Sequence, residues 1–486
     1  MKNINSDYRI DLLIDNKEIP TQQYVQVRDP GKLTDIVGTV AIGTGADVDQ
    51  AVTAAHKAFL SWRNVDVKER IEKILATVAV LEDSMSELVP LLVREHGGML
   101  WEAETDFLKG AANLRYYSGL VENFLKPEQI ENDASWMSIE KVPKGVVGVI
   151  VPWNMPVVLT MMKLAPALVT GNTVVVKPSP TAPIALSILL KRMAAVLPDG
   201  VINVVTGGAD VGIALTRHPL VKKVAFTGGI ETGKEVMRNA SSSLTLKAIT
   251  LELGGNDPAI VLDDVNPVDI IPKLLKGIYT RAGQICYAVK RIYVPQSMVD
   301  KFFNTLCEFV DEYKVGHGLD PRASFGPLNN KKQFTFVKNL IERTKNSGAI
   351  VRELGSKLDP EGWDNGYYIL PHVVKTESHS SEIVSCEQFG PVIPIVPYRT
   401  IEEAIEFANE TEYGLCSSVW SSDFQRALDV ARKIEAGSTF INTHSFESTT
   451  LGMPFGGVKN SGIGREMAGE LTLSAYIDYH SIRYLK

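Results

Sequence analysis

Short β-branched runs alternate with helical stretches between residues 146 and 253, and this alternation restricts the possible fold more than any other feature. The helical stretches open near Pro156, Thr181, Ala209 and Thr232. A strand and helix repeat predicts a parallel sheet with helices on its faces, which makes the chain an α/β protein. The predicted strands span residues 146–151, 173–177, 201–205, 223–227 and 249–253.

Four of these predicted strands end in glycine or polar residues. Parallel sheets bind ligands at the carboxyl ends of their strands. A glycine at such a turn lets the backbone approach a phosphate, and the following helix offers free N–H groups. The strand ends in question are Pro152-Trp153-Asn154, Lys177-Pro178-Ser179, Thr206-Gly207-Gly208 and Thr227-Gly228-Gly229.

Composition indicates a soluble globular protein and argues against several other classes. The 486 residues are enough for about three domains. A net charge of −7 argues against nucleic acid or an anionic membrane as a partner. Four cysteines without CxxC spacing indicate a reducing compartment, so we expect a cytoplasmic protein. Eight scattered histidines predict no metal site.

Two segments bear on membrane targeting. The opening MKNINSDYRIDLL lacks the apolar core of a signal peptide. Residues 145–169 are apolar but carry three prolines, an asparagine and a lysine. No uninterrupted stretch reaches the ~18 residues that a span needs, so a buried strand, a turn and a buried helix are expected there.

A candidate base and a candidate nucleophile stand in the segment from Glu252 to Cys286. Glu252 lies in the apolar strand ITLEL just before paired glycines, and Cys286 closes the turn Gly-Gln-Ile-Cys. A thiolate is strongly nucleophilic, and nearby N–H dipoles are expected to lower the pKa of Cys286 from about 8.5. Partial burial is expected to raise the pKa of Glu252 towards neutral pH, as a general base requires.

These motifs resemble those of the aldehyde dehydrogenase superfamily over essentially the full length of the chain. Seven motifs occur in the family's order and spacing. They are PWN (152–154), KPSP (177–180), FTGGIETG (226–233), LELGG (251–255), GQIC (283–286), EQFGPV (387–392) and PFGGVKNSGIGRE (454–466). The resemblance implies oxidation of an aldehyde to the acid with NAD(P) as cofactor.

The resemblance also implies the roles of five catalytic residues. Cys286 would form a thiohemiacetal and then a thioester, with Asn154 and the Cys286 N–H as the oxyanion hole. Glu252 would activate the water that hydrolyses the thioester, because members that transfer the acyl group to coenzyme A typically lack this residue. Lys163 and Glu466 match a proton path to bulk water, or alternatively form a structural ion pair.

For the cofactor, the resemblance implies that Lys177 holds the adenosine ribose and Glu387 the nicotinamide ribose, with Phe389 near the ring. Gly228 and Gly229 would contact the pyrophosphate, although many members have Ser at the second position. Further contacts are implied for Val151, Pro152, Trp153, Ser179, Pro180, Gly208, Phe226, Thr227, Thr232 and Leu253. Pro180 stands where NAD-preferring members often have Glu, so we expect NAD with NADP tolerated.

The substrate entrance is predicted to be apolar. By position it is lined by Met155, Met162, Ile285, Tyr287 and Phe446, the last within the loop 443–453. These residues include no Arg or Lys that would bind a substrate carboxylate, so a hydrophobic aliphatic or aromatic aldehyde is favoured. The alternatives are an NADP-dependent semialdehyde dehydrogenase and a non-catalytic protein that retains the fold.

The predicted domain organisation follows from the change of pattern along the chain. A Rossmann-like NAD(P)-binding domain comprises residues 1–121 and 143–254, and an α/β catalytic domain comprises residues 255–455. The tail alternates like a strand without a following partner. Residues 122–142 and 467–486 are therefore predicted to form a small β extension that joins subunits of a homodimer or homotetramer.

Overall fold

The computed structural model describes residues 8–486, so the first seven residues of the segment examined for a signal peptide lie outside it. The chain opens with strands β1 (Tyr8–Ile10), β2 (Leu12–Ile14), β3 (Lys17–Ile19), β4 (Tyr24–Asp29) and β5 (Lys32–Ala41). Three helices follow, α1 (Gly45–Trp62), α2 (Val67–His96) and α3 (Leu100–Phe124).

The starts and ends of the first two helices have local causes. Helix α1 begins at Gly45, because Thr44 and Asp47 cap its first turn reciprocally. Its apolar face, which includes Val48, Phe59 and Trp62, is buried. Helix α2 ends at His96, because Gly97 follows it with a φ of 83°.

The segment from Glu128 to Glu252 contains the predicted strand and helix repeat. Its elements are β6 (Glu128–Glu131), β7 (Ser135–Pro143), β8 (Val146–Ile150), α4 (Pro156–Val169), β9 (Thr173–Lys177), α5 (Ile184–Ala194), β10 (Ile202–Val204), α6 (Ala209–Arg217), β11 (Val221–Thr227), α7 (Ile230–Ser241) and β12 (Ala248–Glu252). Each predicted strand is present, with ends within two residues of the prediction. Helix α5 begins later than the predicted Thr181, after Pro183.

The first large sheet has a parallel centre in the order β12-β11-β8-β9-β10. Strand β2 pairs antiparallel with β10 and carries β3 at the outer edge. The strand order reverses at β8, since β9 lies on one side of it and β11 on the other. Ligands of open α/β sheets bind at such a switch point, outside the carboxyl ends of the strands.

The second large sheet belongs to the chain after Glu252. Its order of strands is β16-β18-β19-β14-β13-β20-β21, and only β16 runs antiparallel to its neighbour. The elements of this part are β13 (Asp257–Val261), α8 (Pro267–Tyr279), β14 (Val289–Pro295), α9 (Val299–Asp311), β15 (Lys314–Val315), α10 (Lys331–Lys345), β16 (Ile350–Glu353), β17 (Ser356–Lys357), β18 (His372–Lys375), α11 (Glu382–Ser385), β19 (Val392–Tyr398), α12 (Ile401–Asn409), β20 (Cys416–Trp420), α13 (Phe424–Ala431) and β21 (Ser438–Ile441).

The chain ends with β22 (Gly462–Ile463), α14 (Glu470–Ser474) and β23 (Ile477–Leu485). Strand β22 pairs with the end of β12, so the segment 454–466 returns from the second large sheet to the first. Strand β23 pairs antiparallel with β7 over its whole length, and β6 completes a three-stranded sheet. The two predicted extension segments therefore pair with each other within one chain.

The α/β fold class is confirmed by these two sheets. The predicted division of the chain after residues 121, 142, 254 and 455 stays a prediction. The apolar segment 145–169 forms β8 and the entirely buried helix α4, as expected. Within residues 8–486, no helix combines the length and apolar character needed to cross a membrane.

Candidate active site

The turn that carries Cys286 is held in an unusual backbone conformation. Arg281, Ala282 and Gly283 have φ values of 57°, 53° and 75°, in the left-handed region. The Nζ of Lys290 donates to the carbonyl oxygens of Ile285 and Cys286, at 2.9 and 2.5 Å. These bonds fix the backbone on both sides of the thiol.

The paired glycines of the LELGG motif allow the chain to pass between this turn and Glu387. A Cβ atom at Gly255 would lie 2.6 Å from the carbonyl oxygen of Cys286. A Cβ atom at Gly254 would meet the carboxylate of Glu387. The backbone N–H of Gly255 instead donates to Glu387 Oε1 at 3.1 Å. Only glycine fits this close approach.

Asn154 lies in the turn between β8 and α4 and is 4% exposed. One N–H of its Nδ2 donates to the carbonyl oxygen of Gln284 at 2.9 Å, which aims the amide towards Cys286. Asp106 of α3 accepts from the backbone N–H groups of Val157 and Val158, at 3.2 and 2.7 Å. Asp106 therefore caps α4 and fixes the turn, a contact that sequence motifs did not indicate.

Glu252 ends strand β12 and is 3% exposed. Neither of its carboxylate oxygens has a hydrogen-bond partner within residues 8–486. Burial, and next the charge of Glu466, hold the pKa of Glu252 well above its usual range, while Lys163 opposes the shift. This direction agrees with the expected role of a base.

Lys163 and Glu466 form a fully buried ion pair next to Glu252. The Nζ of Lys163 lies 2.9 Å from Oε1 of Glu466, and the two side chains are 0% and 1% exposed. A second buried lysine, Lys223, donates to Thr250 Oγ1 at 2.7 Å. The electrostatic influence of Lys163 and Glu466 on Glu252 joins these three groups into one cluster.

The expected depression of the pKa of Cys286 is wrong for the ligand-free chain. Burial raises the pKa of the thiol to about 12, and the charges of Glu387, Asp257 and Glu252 add to the rise. Lys290 opposes it. Desolvation of the thiolate by the surrounding apolar side chains outweighs the dipoles that the sequence motif implied.

Cys286, Asn154 and Leu159 line two separate cavities. The first lies at the switch point of the parallel sheet and has a volume of about 380 Å³. Nine predicted cofactor residues line it: Pro152, Trp153, Thr227, Gly228, Gly229, Thr232, Leu253, Glu387 and Phe389. Gly254 and three residues at the start of α10, Asn330, Lys332 and Gln333, line it without having been predicted.

The EQFGPV motif forms one wall of this cavity. Phe389 has a φ of 49°, and its ring packs edge to face on Trp153 with centroids 5.7 Å apart. The Nε2 of Gln333 donates to the carbonyl oxygens of Gln388 and Phe389, at 2.9 and 3.0 Å. Gln333 therefore holds the strained turn that carries Glu387.

The other predicted cofactor residues, Val151, Lys177, Ser179, Pro180, Gly208 and Phe226, do not line this cavity. Val151 and Phe226 are buried in the parallel sheet, whereas Pro180 and Gly208 are exposed. Lys177 ends β9, and its Nζ donates to the carbonyl oxygen of Pro178 at 3.1 Å. Burial lowers the pKa of Lys177 to about 8.

The residues present fit a dinucleotide. A Cβ atom at Gly229 would meet nothing within 4 Å, and Gly229 caps the N-terminus of α7, which leaves free N–H groups beside open space. The N–H of Gly228 is not among them, because it donates to the carbonyl oxygen of Glu252 at 3.0 Å. Gly228 therefore leaves space at the cavity wall because it has no side chain, but its N–H is not free to donate to a ligand.

The second cavity, of about 370 Å³, has mostly apolar walls. The predicted residues Met155, Met162, Tyr287 and Phe446 line it, whereas Ile285 is buried behind them and does not. The walls also include Ala112, Val158, Thr449, Thr450, Leu451, Phe455 and Met467. The loop 443–453 contributes as predicted.

The expectation that no cation reaches this cavity is wrong. Lys109 and Asn113 of α3 both line it. Both residues were missed in the sequence analysis because α3 precedes the motif-bearing segments and carries no motif of its own. The only available signal was the place of Lys109 in an amphipathic helix. Within the described part of the chain no cluster of His, Cys, Asp or Glu could hold a metal ion.

Comparisons with known proteins agree with this arrangement. The family model for the aldehyde dehydrogenase family matches residues 18–482. An alpha-ketoglutaric semialdehyde dehydrogenase of Bacillus subtilis is 36% identical over 452 residues, which are 92% of this chain and 91% of that protein.

Two solved structures superpose on the chain with a TM-score of 0.92. A betaine aldehyde dehydrogenase of Staphylococcus aureus in complex with NAD⁺ is 33% identical, and the match covers 98% of this chain and 94% of that protein. A mutant aldehyde dehydrogenase of Bacillus cereus is 32% identical, and the match covers 99% of this chain and 97% of that protein. The chain therefore belongs to the aldehyde dehydrogenase family, as its motifs predict, and is an NAD(P)-dependent aldehyde dehydrogenase.

Proposed function

We propose that this enzyme oxidises an aldehyde with an apolar body to the carboxylic acid, through a thioester on Cys286 that water hydrolyses. One observation carries the proposal: Cys286 and Asn154 line both the cavity at the sheet's switch point and the apolar cavity. A carbonyl carbon that enters from the apolar side reaches the thiol at the wall next to the cofactor site.

Asn154 supports stabilisation of the oxyanion that forms when the Cys286 sulfur attacks the carbonyl. An amide nitrogen has two N–H groups, and Nδ2 of Asn154 uses one of them on Gln284. The second remains for the substrate oxygen, together with the backbone N–H of Cys286. Loss of one such donor typically costs on the order of 10² to 10³ in rate.

Glu252 supports both proton transfers that the cycle needs. A thiol with a pKa of about 12 is protonated at neutral pH, so the attack requires a base to take its proton. Within residues 8–486 neither carboxylate oxygen of Glu252 has a hydrogen-bond partner, and this group has a raised pKa and interacts electrostatically with Cys286. The same carboxylate then takes a proton from the water that hydrolyses the thioester.

The buried pair of Lys163 and Glu466 gives that proton a route away from Glu252. The pair is not exposed to solvent, and its two members shift the pKa of Glu252 in opposite directions. Moving a proton onto or off Glu466 therefore changes the basicity of Glu252. We propose this relay in preference to a purely structural ion pair.

NAD is the proposed cofactor, with NADP tolerated. It would be held by Lys177 on the adenosine side, by the N-terminus of α7 at Gly229, and by Glu387 with Phe389 on the nicotinamide side. When bound, the nicotinamide supplies the hydride acceptor. Pro180 is exposed, and its side chain has neither an acceptor for a ribose hydroxyl nor a negative charge that would repel a 2′-phosphate.

The body of the substrate is proposed to be apolar because Met155, Met162, Tyr287 and Phe446 surround the second cavity. The relatives named above act, by their names, on two different aldehydes, so substrate choice depends on this chain's own cavity. A non-catalytic role is disfavoured because Cys286, Glu252 and Asn154 are all present.

We also propose a cytoplasmic homodimer or homotetramer that associates through the sheet β23-β7-β6. The edge strand β23 is exposed from its second residue onward, and it presents the apolar side chains Ile482, Tyr484 and Leu485 to solvent. An exposed edge strand with apolar side chains favours pairing with another chain. Residues 122–142 and 467–486 are accordingly retained as the oligomerisation segments.

The test combines a substrate panel with two variants. Purified enzyme is supplied with NAD or NADP and with aliphatic, aromatic, carboxylated and cationic aldehydes, and formation of reduced cofactor is measured. Cys286→Ala should abolish turnover but not cofactor binding. Glu252→Gln lacks the base for both steps, so the burst of about one equivalent of reduced cofactor per site should be slower than in the native enzyme, and the turnover that follows should be slower still. An unchanged steady-state rate in Glu252→Gln would remove this residue as the base.

A further inference from the structure

Lys109 stands at a different wall of the substrate cavity from Cys286. Cys286 lies on the wall shared with the cofactor cavity. Lys109 and Phe446 instead line a further cavity, which the half-exposed Trp101 and the exposed Glu447 also line. An aldehyde whose carbonyl carbon reaches Cys286 therefore directs its other end towards Lys109.

The ammonium group of Lys109 is only partly satisfied by the protein. It donates to the carbonyl oxygen of Phe446 and to Thr449 Oγ1, the latter at 3.2 Å, and lies 4.2 Å from the centroid of the Phe446 ring. An ammonium has three N–H groups, so one remains. No carboxylate in residues 8–486 lies within 4 Å of its Nζ.

The charge of Lys109 persists at neutral pH in spite of its surroundings. Burial lowers the pKa of Lys109 to about 8, and the charge of Glu447 opposes that shift. A half-buried cation without an adjacent counter-charge in an apolar cavity favours an anionic ligand. Asn113, one helical turn further along α3, lines the same cavity, and its Nδ2 uses one N–H on the carbonyl oxygen of Lys109.

We propose that Lys109 binds a carboxylate at the end of the substrate remote from the aldehyde, so that the preferred substrates are apolar aldehydes that also carry an acid group. This proposal rests on the proposed aldehyde oxidation and specifies its substrate class. A hydroxyl group could accept from Lys109 and donate to Asn113 Oδ1, which has no partner in the described chain. It would leave the cation without a counter-charge, so the carboxylate is favoured.

The test compares aldehydes that differ only at the remote end. The aliphatic pair is hexanal and adipic semialdehyde, and the aromatic set is benzaldehyde, 4-hydroxybenzaldehyde and 4-carboxybenzaldehyde. The quantity measured is the ratio of kcat/KM for the carboxylated aldehyde to kcat/KM for its neutral partner. Lys109→Met should lower this ratio by ~10- to 100-fold, as expected for the loss of a hydrogen bond between charged groups.

Two further variants separate charge recognition from other effects. Lys109→Arg keeps the cation and should retain most of the ratio. Lys301→Met changes the net charge equally on an exposed position of α9 and should leave the ratio unchanged. Inhibition by adipate relative to hexanoate reports the same preference should a variant lose turnover, and the thermal midpoint of each variant verifies folding.

Several outcomes would overturn the proposal. One is a ratio in Lys109→Met within about twofold of the native ratio. Another is an equal loss with every aldehyde, which would make Lys109 only an anchor for the loop at Phe446. A native preference for 4-hydroxybenzaldehyde would assign the site to a hydroxyl group. Failure of all aldehydes with both cofactors would instead refute the proposed function itself.

Discussion

Removal of one member of the buried pair Lys163–Glu466 should destabilise the enzyme far more than removal of both. The pair is 2.9 Å apart with side chains at most 1% exposed. At an effective dielectric constant of about 20, two unit charges at this separation attract by roughly 6 kcal/mol. Lys163→Met leaves the carboxylate of Glu466 buried without a partner, which typically costs about 3–5 kcal/mol of the free energy of unfolding.

The double variant Lys163→Met/Glu466→Gln should recover most of that loss, because no uncompensated charge remains. The assay is urea denaturation of the native enzyme, the two single variants and the double variant at one pH. The expected coupling between the two sites is more than about 2 kcal/mol. A loss below about 1 kcal/mol in Lys163→Met would refute the reasoning.

The same variants distinguish a relay from a structural pair through the pH dependence of thioester hydrolysis. Lys163 lowers the pKa of Glu252 and Glu466 raises it. The pH profile of hydrolysis should therefore move to higher pH in Lys163→Met and to lower pH in Glu466→Gln. Single-turnover hydrolysis at the native rate and native pH profile in the double variant would leave the pair a structural role only.

Three further predictions address the nucleophile, the glycine pair and the tail. The alkylation rate of Cys286 in the ligand-free enzyme should rise about tenfold per pH unit from about pH 7 to 10, because the thiolate fraction of a thiol with a pKa of about 12 keeps increasing over that range. A plateau of the rate below about pH 9 would contradict this prediction. The Cys286→Ala variant gives the background rate of the other thiols. Gly255→Ala forces a Cβ against the backbone and should cost about 1–3 kcal/mol together with most of the turnover, whereas Gly119→Ala, on an open face of α3, should cost no stability. Deletion of residues 478–486 spares the buried part of the tail and should break the oligomer; a truncated enzyme that sediments like the full chain would refute the role of β23.

The repeat of strands and helices could be predicted because its determinants are local. Five β-branched runs separated by helical stretches admit few arrangements other than a parallel sheet, and all five became adjacent strands of one sheet. Their order in the sheet did not follow from the pattern. The tail was predicted to be a strand that joins subunits, but only the fold paired it with residues 135–143 of the same chain.

The pKa of Cys286 could not be predicted from its motif, because it depends on how completely the folded chain excludes water. The motif indicated a depressed value, but apolar side chains from several elements surround the thiol and raise it. The raised pKa of Glu252 was predicted correctly, since an apolar strand around one carboxylate already implies desolvation.

The sequence alone determined the chemistry of this protein, whereas its tertiary structure decided the surroundings of that chemistry. The proposed reacting groups Cys286, Glu252 and Asn154 are recognisable because such a group requires a particular residue in a particular local turn, and that requirement is visible in a short motif. Lys109, Asp106 and Gln333 reach the site from helices far away in the sequence. Their contribution depends on which faces of those helices pack against the site, and no local pattern encodes that packing.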